Sequence, residues 1–225
     1  MNELSNLVSI VVPIYNESES VELLTKEILK VMNVNNIYFE LILVNDGSND
    51  STLQILNKLS LNIKELKVLN LRKNYGQTAA MAAGFDYSNG EIIISLDGDL
   101  QNDPNDIPKL IETIKEGYDL VCGWRFERKD KLISRRIPSK IANKLIGFVT
   151  GINLHDYGCS LKAFRKEIVK DIKLYGELHR FLPILANIEG AKIKEIKVNH
   201  RSRKYGTSKY GIDRTFRVLM DLLTV

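Results

Sequence analysis

The chain has 225 residues, of which 44% are hydrophobic and 27% are charged, and its net charge is +4. This composition is close to that of soluble globular proteins and excludes collagen-like, disordered and disulfide-rich chains, the last because there are only two cysteines. A chain of this length can bury a hydrophobic core, and its sequence has no apolar run of about 18 residues that would span a bilayer.

The first 125 residues alternate short apolar runs with longer stretches whose apolar residues recur every three or four positions. The apolar runs predict strands at residues 7–12, 40–44, 66–71, 91–96 and 118–123. The amphipathic stretches predict helices at residues 17–32, 52–59, 77–87 and 105–116. This alternation is typical of a Rossmann-like α/β fold, in which a mostly parallel sheet is flanked by helices and binds ligands at the carboxyl ends of its strands.

The alternation ends after Trp124. The remaining sequence predicts a basic amphipathic stretch at 128–149, a strand or loop at 156–165, helices near 166–174 and 178–189, an edge strand at 192–199 and a polar loop at 200–210. We therefore predict one compact domain over residues 1–210. A C-terminal amphipathic helix at 211–225 follows it, and whether transmembrane helices come after that helix stays open.

Basic charge is concentrated in the second half of the chain. Residues 128–149 carry a net charge of +6 and residues 192–217 carry +7, so the rest of the chain is acidic. Such clustering predicts an anionic partner, such as phosphate groups, a membrane surface or nucleic acid, although a solvated face would have the same composition.

Cysteine and histidine do not have the spacing of a metal site in this sequence. Cys122 and Cys159 are far apart, without a CxxC pair, and we expect reduced thiols in a cytoplasmic environment. The three histidines, at positions 155, 179 and 200, also lack ligand spacing.

Acidic and polar residues follow three of the predicted strands. The sequence has neither a GxGxxG after the first strand nor a GxxxxGK[ST], so the usual dinucleotide and P-loop phosphate cradles are absent. The first strand instead ends in residues 13–17, the second in 45–52 and the fourth in 97–104. Because the carboxyl ends of parallel strands share one edge of a sheet, these three segments are expected to face one crevice.

Asp97 and Asp99 are the first candidates for chemistry. Two carboxylates one residue apart at the end of a buried strand repel each other, and a divalent cation between them would remove that cost. Oxygen ligands suit Mg²⁺ or Mn²⁺, which usually take further ligands from water and a diphosphate. The alternative is a pair of loop aspartates that cap the following helix.

Two further acids have both a functional and a structural interpretation. Asp46 stands at a strand end, where its carboxylate can accept hydrogen bonds from a base or a ribose hydroxyl. Glu17 could do the same, or it could be an acid favoured by the helix dipole. In the turn after Asp46, either Ser48 or Asp50 can cap the helix that begins near Thr52.

An ordered set of motifs resembles the nucleotide-sugar core of family 2 glycosyltransferases with a GT-A fold. The motifs are Pro13-x-x-Asn16-Glu17, Asn45-Asp46-Gly47-Ser48-x-Asp50-x-Thr52 and Asp97-x-Asp99-Leu100-Gln101. Later segments resemble the polyprenyl-phosphate glycosyltransferases, which include dolichyl-phosphate mannose synthases and bactoprenol glucosyltransferases. Those segments are Gly123-Trp124-Arg125, residues 156–165 and residues 200–210, and Asn74-Tyr75-Gly76-Gln77 is closer to the bactoprenol branch.

The resemblance implies roles for individual residues. The residues that would bind the nucleotide-sugar are Pro13, Tyr15, Asn16, Glu17, Asp46, Asp97, Gln101, Arg203, Ser208 and Lys209. The metal ligands would be Asp97, Asp99 and Gln101. The catalytic set would be Asp97, Asp99, Arg125, Asp156 and Arg203, in which the arginines meet phosphate groups and Asp156 faces the sugar or the acceptor. Asn45 and the Cys159-Ser160-Leu161 segment depart from the usual family pattern.

The implied reaction is an inverting, metal-dependent transfer of a sugar from a nucleotide-sugar to a polyprenyl phosphate, with a UDP-sugar such as UDP-glucose as the expected donor. The second pKa of a phosphate monoester is about 6, so the acceptor is largely anionic near neutral pH and needs positive charge more than a base. For Asp156 we therefore favour orientation of a substrate over proton abstraction. An acceptor that is a polysaccharide or another glycan is the alternative, and it is disfavoured because the chain has no QxxRW-like segment.

The basic stretch 128–149 combines its Lys and Arg residues with an apolar face, which suits a helix on anionic headgroups as well as one packed on the domain. We expect the protein at the cytoplasmic face of the membrane, either as a peripheral protein or as part of an integral one. A nucleic-acid partner is not expected, because aromatic residues are not interleaved with the basic charge. We also consider a homo-oligomer.

Overall fold

A computed structural model describes residues 6–126, residue 147 and residues 151–205 of the chain. The predicted basic stretch 128–149, apart from Gly147, lies outside the described residues, and so does the predicted helix 211–225. Ser208 and Lys209, which we predicted to bind the nucleotide-sugar, also lie outside them.

The described residues contain one seven-stranded sheet. Its strands are β1 (Val8–Ile14), β2 (Phe39–Asn45), β3 (Leu66–Asn70), β4 (Ile92–Ser95), β5 (Leu120–Arg125), β6 (Lys162–Arg165) and β7 (Ile193–Val198). They are arranged in the order β3-β2-β1-β4-β6-β5-β7, and all neighbours are parallel except that β6 is antiparallel to both β4 and β5. The mostly parallel sheet that we predicted is therefore confirmed, and the strand-or-loop at 156–165 contains one short reversed strand.

Six α-helices occur in the described ranges. They are α1 (Val21–Val34), α2 (Thr52–Ser60), α3 (Gln77–Tyr87), α4 (Ile107–Lys115), α5 (Lys166–Asp171) and α6 (Leu182–Ile188). The helix predicted at 17–32 begins later, because residues 17–20 form a turn in which the Glu17 carbonyl accepts the backbone N–H of Ser20 and of Val21. Pro104–Asp106 forms a 3-10 turn before α4.

The inner strands β1 and β2 bury both of their faces, which is why they are mostly apolar, whereas β3 and β7 at the two sides of the sheet are partly exposed. Along β1, Ile10 and Val12 belong to one buried cluster with α1, α2 and α4, and Val11 belongs to a second cluster with α3, α5 and α6. The alternation of side chains along a strand produces this division. Helix α3 approaches the sheet so closely that a Cβ on Gly84 would lie 2.3 Å from Cγ1 of Val11.

The layer arrangement brings the carboxyl ends of six strands to one edge of the sheet, as expected for this fold. At the side of the sheet, β7 is the edge strand that the sequence predicted, with exposed Lys194 and Lys197. None of the helices within the described ranges has the length and apolarity needed to cross a membrane.

Candidate active site

The turns that follow β1 and β2 are hydrogen-bonded to each other. The backbone N–H of Asn16, which has a left-handed φ of 51°, donates to the Ser48 hydroxyl over 2.9 Å. The N–H of Glu17 donates to the Thr52 hydroxyl over 2.9 Å. Asp50, rather than Ser48, supports the start of α2, since its Oδ1 accepts the N–H of Thr52 over 3.0 Å. Asn16 and Glu17 are thus held at the carboxyl end of β1, where we predicted a nucleoside site.

Asp46 is buried at the end of β2 and accepts two backbone hydrogen bonds. Its Oδ1 accepts the N–H of Tyr75 over 2.8 Å and its Oδ2 accepts that of Gly76 over 2.9 Å. Burial raises the pKa of Asp46, and the two N–H groups oppose that rise. The segment before α3 also packs against Gly47, whose φ is +64° and whose missing Cβ would lie 2.4 Å from the carbonyl carbon of Lys73. Asp46 therefore holds the segment before α3, an interaction that the sequence did not indicate.

Asp97 and Asp99 form the turn after β4. Oδ1 of Asp97 accepts a hydrogen bond from Nε2 of Gln77 over 2.7 Å. Oδ1 of Asp99 accepts the backbone N–H of Gln101 over 3.1 Å, and Oδ2 of Asp99 is 2.5 Å from Nη2 of Arg203. The turn therefore brings two carboxylates and an arginine together at the centre of the edge.

The electrostatics of this turn separate Asp99 from ordinary loop aspartates. Burial, with the negative charge of Asp97 and a smaller contribution from Glu17, raises the pKa of Asp99 to about 6, and Arg203 lowers it. Glu17 comes close, since a Cβ on Gly98 would lie 3.7 Å from its Cγ. Burial and the neighbouring carboxylates thus outweigh Arg203 in their effect on the pKa of Asp99.

This donor set fits a divalent cation. Carboxylate oxygens are the preferred ligands of Mg²⁺ and Mn²⁺. Within residues 6–126 and 151–205 no group of three or more His, Cys, Asp or Glu side chains could hold a metal. The two aspartates would supply only part of the coordination, leaving positions for water and a diphosphate. Gln101, which we also predicted as a ligand, donates its side-chain N–H to the Arg201 carbonyl oxygen over 3.4 Å.

Arg125 and Asp156, which we predicted to contact substrates separately, form a bidentate ion pair. Nε of Arg125 lies 2.6 Å from Oδ2 of Asp156, and Nη2 lies 2.8 Å from Oδ1. The side chains are 15% and 3% exposed, respectively. A carboxylate bound in this way is oriented rigidly, which favours the orienting role over proton abstraction.

The segment 200–205 is bound to the turn after β4. The N–H of Arg201 donates to the carbonyl oxygen of Gln101 over 2.8 Å. The Arg201 guanidinium pairs with Glu27 at 2.6 Å and with Asp103 at 2.7 Å. Arg203, two residues later, reaches Asp99 instead. The two arginines therefore have different partners: Arg201 links the segment to α1 and to the turn, whereas Arg203 pairs with Asp99.

A cleft of about 620 Å³ lies between residues 74–79 and residues 174–177. Its lining includes two exposed aromatic side chains, Tyr75 and Tyr175. Gln77 belongs to the same lining and donates to Asp97, so the cleft adjoins the acidic turn. Only the motif Asn74-Tyr75-Gly76-Gln77 pointed to this region in the sequence.

Sequence reasoning also missed Glu195. The sequence shows it only as one acid among the lysines of a predicted edge strand. In the structure its carboxylate accepts the backbone N–H groups of His155 and Asp156. A lone acid in a basic edge strand was the one available signal.

Comparison with known proteins places this geometry in context. Residues 9–173 match the sequence model of the family described as glycosyl transferase family 2. The chain is 49% identical over 221 residues to the dodecaprenyl-phosphate galacturonate synthase of Rhizobium johnstonii, covering 96% of this chain and 65% of that protein. It is 43% identical over 218 residues to the undecaprenyl-phosphate 4-deoxy-4-formamido-L-arabinose transferase of Photorhabdus laumondii, covering 96% and 67%. The chain thus spans about two thirds of the length of these relatives.

A solved structure with a similar fold is glucosyl-3-phosphoglycerate synthase from Mycobacterium tuberculosis in complex with Mn²⁺, UDP and phosphoglyceric acid. Its TM-score is 0.73 at 18% sequence identity, and the match covers 97% of this chain and 77% of that one. At this level of identity the likeness concerns the fold alone.

Proposed function

The chain belongs to glycosyl transferase family 2, and on that premise we propose that it transfers a sugar from a nucleotide-sugar to a polyprenyl phosphate. The main support from the geometry is the turn that holds Asp97 and the buried Asp99 beside Arg203, where burial and the neighbouring charge of Asp97 raise the pKa of Asp99 to about 6. The two relatives compared above are both named for sugar transfer to a polyprenyl phosphate, which supports the acceptor.

For the donor, we propose that the turns after β1 and β2 bind the nucleoside. Pro13, Tyr15, Asn16 and Glu17 would line this site beside Asp46. We keep a UDP-sugar as the proposed donor, which is what the sequence resemblance implies. The relatives are named for galacturonate and formamido-arabinose, so these sugars are better first candidates than glucose.

We propose that Asp97 and Asp99 hold Mg²⁺ or Mn²⁺, and that Gln101 supports the turn. When bound, such an ion would offset negative charge on the diphosphate of the departing nucleotide. The protein's own part is to hold two carboxylates in place before substrate arrives, through Gln77 and the N–H of Gln101. Preorganised charge of this kind lowers the cost of rearrangement during the reaction.

The acceptor phosphate would meet the arginines. In the proposed step, an oxygen of the lipid phosphate attacks the anomeric carbon, and the bond from that carbon to the nucleoside diphosphate breaks. The leaving diphosphate keeps the electron pair and the configuration inverts. The attacking oxygen is already largely anionic, so the step needs no proton abstraction. Arg125 and Arg203 would reduce repulsion between the two phosphate-bearing substrates, with Asp156 orienting Arg125. Lys209 and Ser208 are proposed to assist from outside the described residues.

We propose that the sugar of the donor enters the cleft between Tyr75 and Tyr175. The support is Gln77, which lines the cleft and contacts Asp97 at once. Polar side chains and aromatic faces are a common lining for a sugar ring, because the ring has both hydroxyl groups and apolar C–H faces. This placement would put the anomeric carbon near the acidic turn.

A transfer assay tests the function. The protein is incubated with undecaprenyl phosphate, Mg²⁺ or Mn²⁺, and a panel of radiolabelled UDP- and GDP-sugars that includes galacturonate, formamido-arabinose and glucose. We expect one label to become extractable into organic solvent, and none with Asp99→Asn. Label that stays in the aqueous phase on a glycan would favour the alternative acceptor, and no transfer from any donor would contradict the proposal.

Action on a lipid phosphate also requires approach to a membrane. We propose that the protein works at the cytoplasmic face and that the basic stretch 128–149 contacts anionic lipid. Deletion of residues 131–149 should weaken binding to vesicles that contain anionic lipid and leave the weak binding to neutral vesicles unaltered. Equal binding to both vesicle types with and without the deletion would contradict this role. Analytical sedimentation of the purified protein tests whether it forms a homo-oligomer.

A further inference from the structure

The segment that carries Asp156 is held by charged side chains that take no direct part in the proposed reaction. We define residues 155–161, which precede β6, as the Asp156 loop. One end of this loop lies over β7 and the other leads into β6. The loop itself has no regular secondary structure, so its shape depends on what binds its backbone.

Glu195 of β7 binds the first two residues of the loop. Its Oε1 accepts the N–H of Asp156 over 2.9 Å, and its Oε2 accepts the N–H of His155 over 3.1 Å. Oε2 also contacts Nδ1 of the His155 ring at 2.7 Å. The Glu195 side chain is only 10% exposed, although it belongs to an edge strand. A nearly buried carboxylate that binds two successive N–H groups restrains the backbone strongly.

Lys162 of β6 binds the other half of the loop. Its side chain is buried, and its Nζ donates to the carbonyl oxygens of Tyr157, over 3.3 Å, and of Cys159. Burial of an ammonium group costs free energy unless the group is hydrogen-bonded, so these two carbonyl oxygens stabilise Lys162 and are in turn held by it. The backbone on both sides of Asp156 is thus bound by a charged group from a neighbouring strand.

These contacts lead directly to the candidate active site. Glu195 binds the backbone of Asp156, and the carboxylate of Asp156 binds the guanidinium of Arg125 in a bidentate manner. We propose that Glu195 is a positioning residue that sets the place of the Asp156–Arg125 pair for the acceptor phosphate. This inference rests on the proposed function. Displacement of a catalytic group by about 1 Å can cost on the order of 100-fold in rate, so such a restraint has a measurable effect.

The molecule contains its own reporter for this loop. Trp124 is the only tryptophan of the chain, and its ring stacks on the His155 ring at a centroid distance of 4.1 Å and an angle of 15°. His155 is in turn held by Glu195. A change in the loop should therefore alter the fluorescence of Trp124, whether or not the enzyme has substrate.

A matched pair of substitutions tests the inference. Glu195→Gln is compared with Glu40→Gln, because Glu40 is also a nearly buried carboxylate with several donors but lies on β2, five strands away from β7 in the sheet. We expect Glu195→Gln to lower kcat by about 10- to 100-fold, to leave the KM of the donor within about twofold and to change Trp124 emission. We expect Glu40→Gln to lower the thermal midpoint while kcat and Trp124 emission stay within experimental error.

A double-mutant cycle with Asp156→Asn completes the test. If Glu195 acts through Asp156, adding Glu195→Gln to Asp156→Asn should reduce kcat by less than about twofold more. Multiplicative effects, or equal kcat losses for Glu195→Gln and Glu40→Gln, would overturn the inference. Unchanged Trp124 emission in Glu195→Gln would overturn it as well. Altered emission in a protein whose wild type transfers no sugar would instead show that the loop restraint is real and that the proposed function is wrong.

Discussion

Two buried carboxylates at opposite ends of the same sheet, Glu40 and Asp99, have pKa values that are shifted in opposite directions. At the amino end of β2, Glu40 accepts hydrogen bonds from the Ser9 hydroxyl at 2.5 Å, Lys67 at 2.6 Å and the Asn89 N–H at 2.7 Å. Burial raises its pKa, but these donors outweigh burial and bring the pKa below its ordinary value. At the carboxyl end of β4, burial and the charge of Asp97 raise the pKa of Asp99 to about 6.

The two carboxylates differ in whether the protein itself stabilises their negative charge. Glu40 has a cation and neutral donors, so its charge is stabilised by the protein itself. Among the residues that the structure describes, Asp99 pairs with Arg203 and has a second carboxylate, Asp97, two residues away. The charge of Glu40 thus contributes to the fold, whereas the charged form of Asp99 is disfavoured by burial and by Asp97, a cost that a bound divalent cation would offset.

The largest expected effect comes from removing the charge of Asp99. Asp99→Asn should lower sugar transfer by at least about 100-fold, because the proposed metal site would lose a ligand and with it the stabilisation of the leaving diphosphate. The thermal midpoint should stay the same or rise, since a repulsive buried charge is gone. Both are measured by the organic-extraction assay and by thermal unfolding. Full activity in Asp99→Asn, or in Asp97→Asn, would contradict the metal role.

The next effect separates the two arginines that border the acidic turn. Arg203→Ala should lower kcat by about 100-fold, because Arg203 contacts Asp99, where the proposed reaction changes the charge. Arg201→Ala should lower kcat by less than about tenfold and lower the thermal midpoint more, since Arg201 pairs with Glu27 and Asp103. Equal kcat losses in the two variants would show that the phosphate contact lies elsewhere.

At the amino end, the expected effect is on stability. Glu40→Gln should reduce the free energy of unfolding by about 1–3 kcal/mol, because buried donors lose their charged acceptor. Glu40 has a lowered pKa in the folded state, so its stabilisation is fully present above the ordinary glutamate pKa and is lost as pH falls through the lowered value. Denaturant unfolding from pH 3 to pH 7 should therefore show a smaller acid loss in Glu40→Gln than in wild type. Parallel curves would contradict this account.

The smallest effect should occur at the cleft beside the acidic turn. Tyr175→Ala should raise the KM of the nucleotide-sugar by about three- to tenfold and change kcat little, if its ring contacts the sugar. Tyr87→Ala is a suitable control, because Tyr87 is similarly exposed but lies outside the cleft lining. If the KM of the nucleotide-sugar is the same in both variants, the proposal that the sugar binds in this cleft is contradicted.

Much of the fold followed from local patterns. The apolar runs predicted β1 to β5 to within about two residues, and the helix predicted at 77–87 matches α3 at both ends. The ends of the strands could also be predicted, so Asp46, Asp97 and Asp99 were expected at the carboxyl ends of β2 and β4 and are found there. These features depend on periodicity and on residues close in sequence, which act before any tertiary contact.

Local sequence patterns were enough to predict the α/β class, the acidic strand ends and the family resemblance. They did not predict that β6 runs antiparallel between β4 and β5, that Arg125 pairs with Asp156 or that Glu195 binds the backbone of Asp156. Those partners are 31 and 39 residues apart, and their meeting depends on the order in which strands pack into the sheet. The order of the strands depends on how the buried faces of all strands and helices pack together, and no short stretch of sequence contains that information.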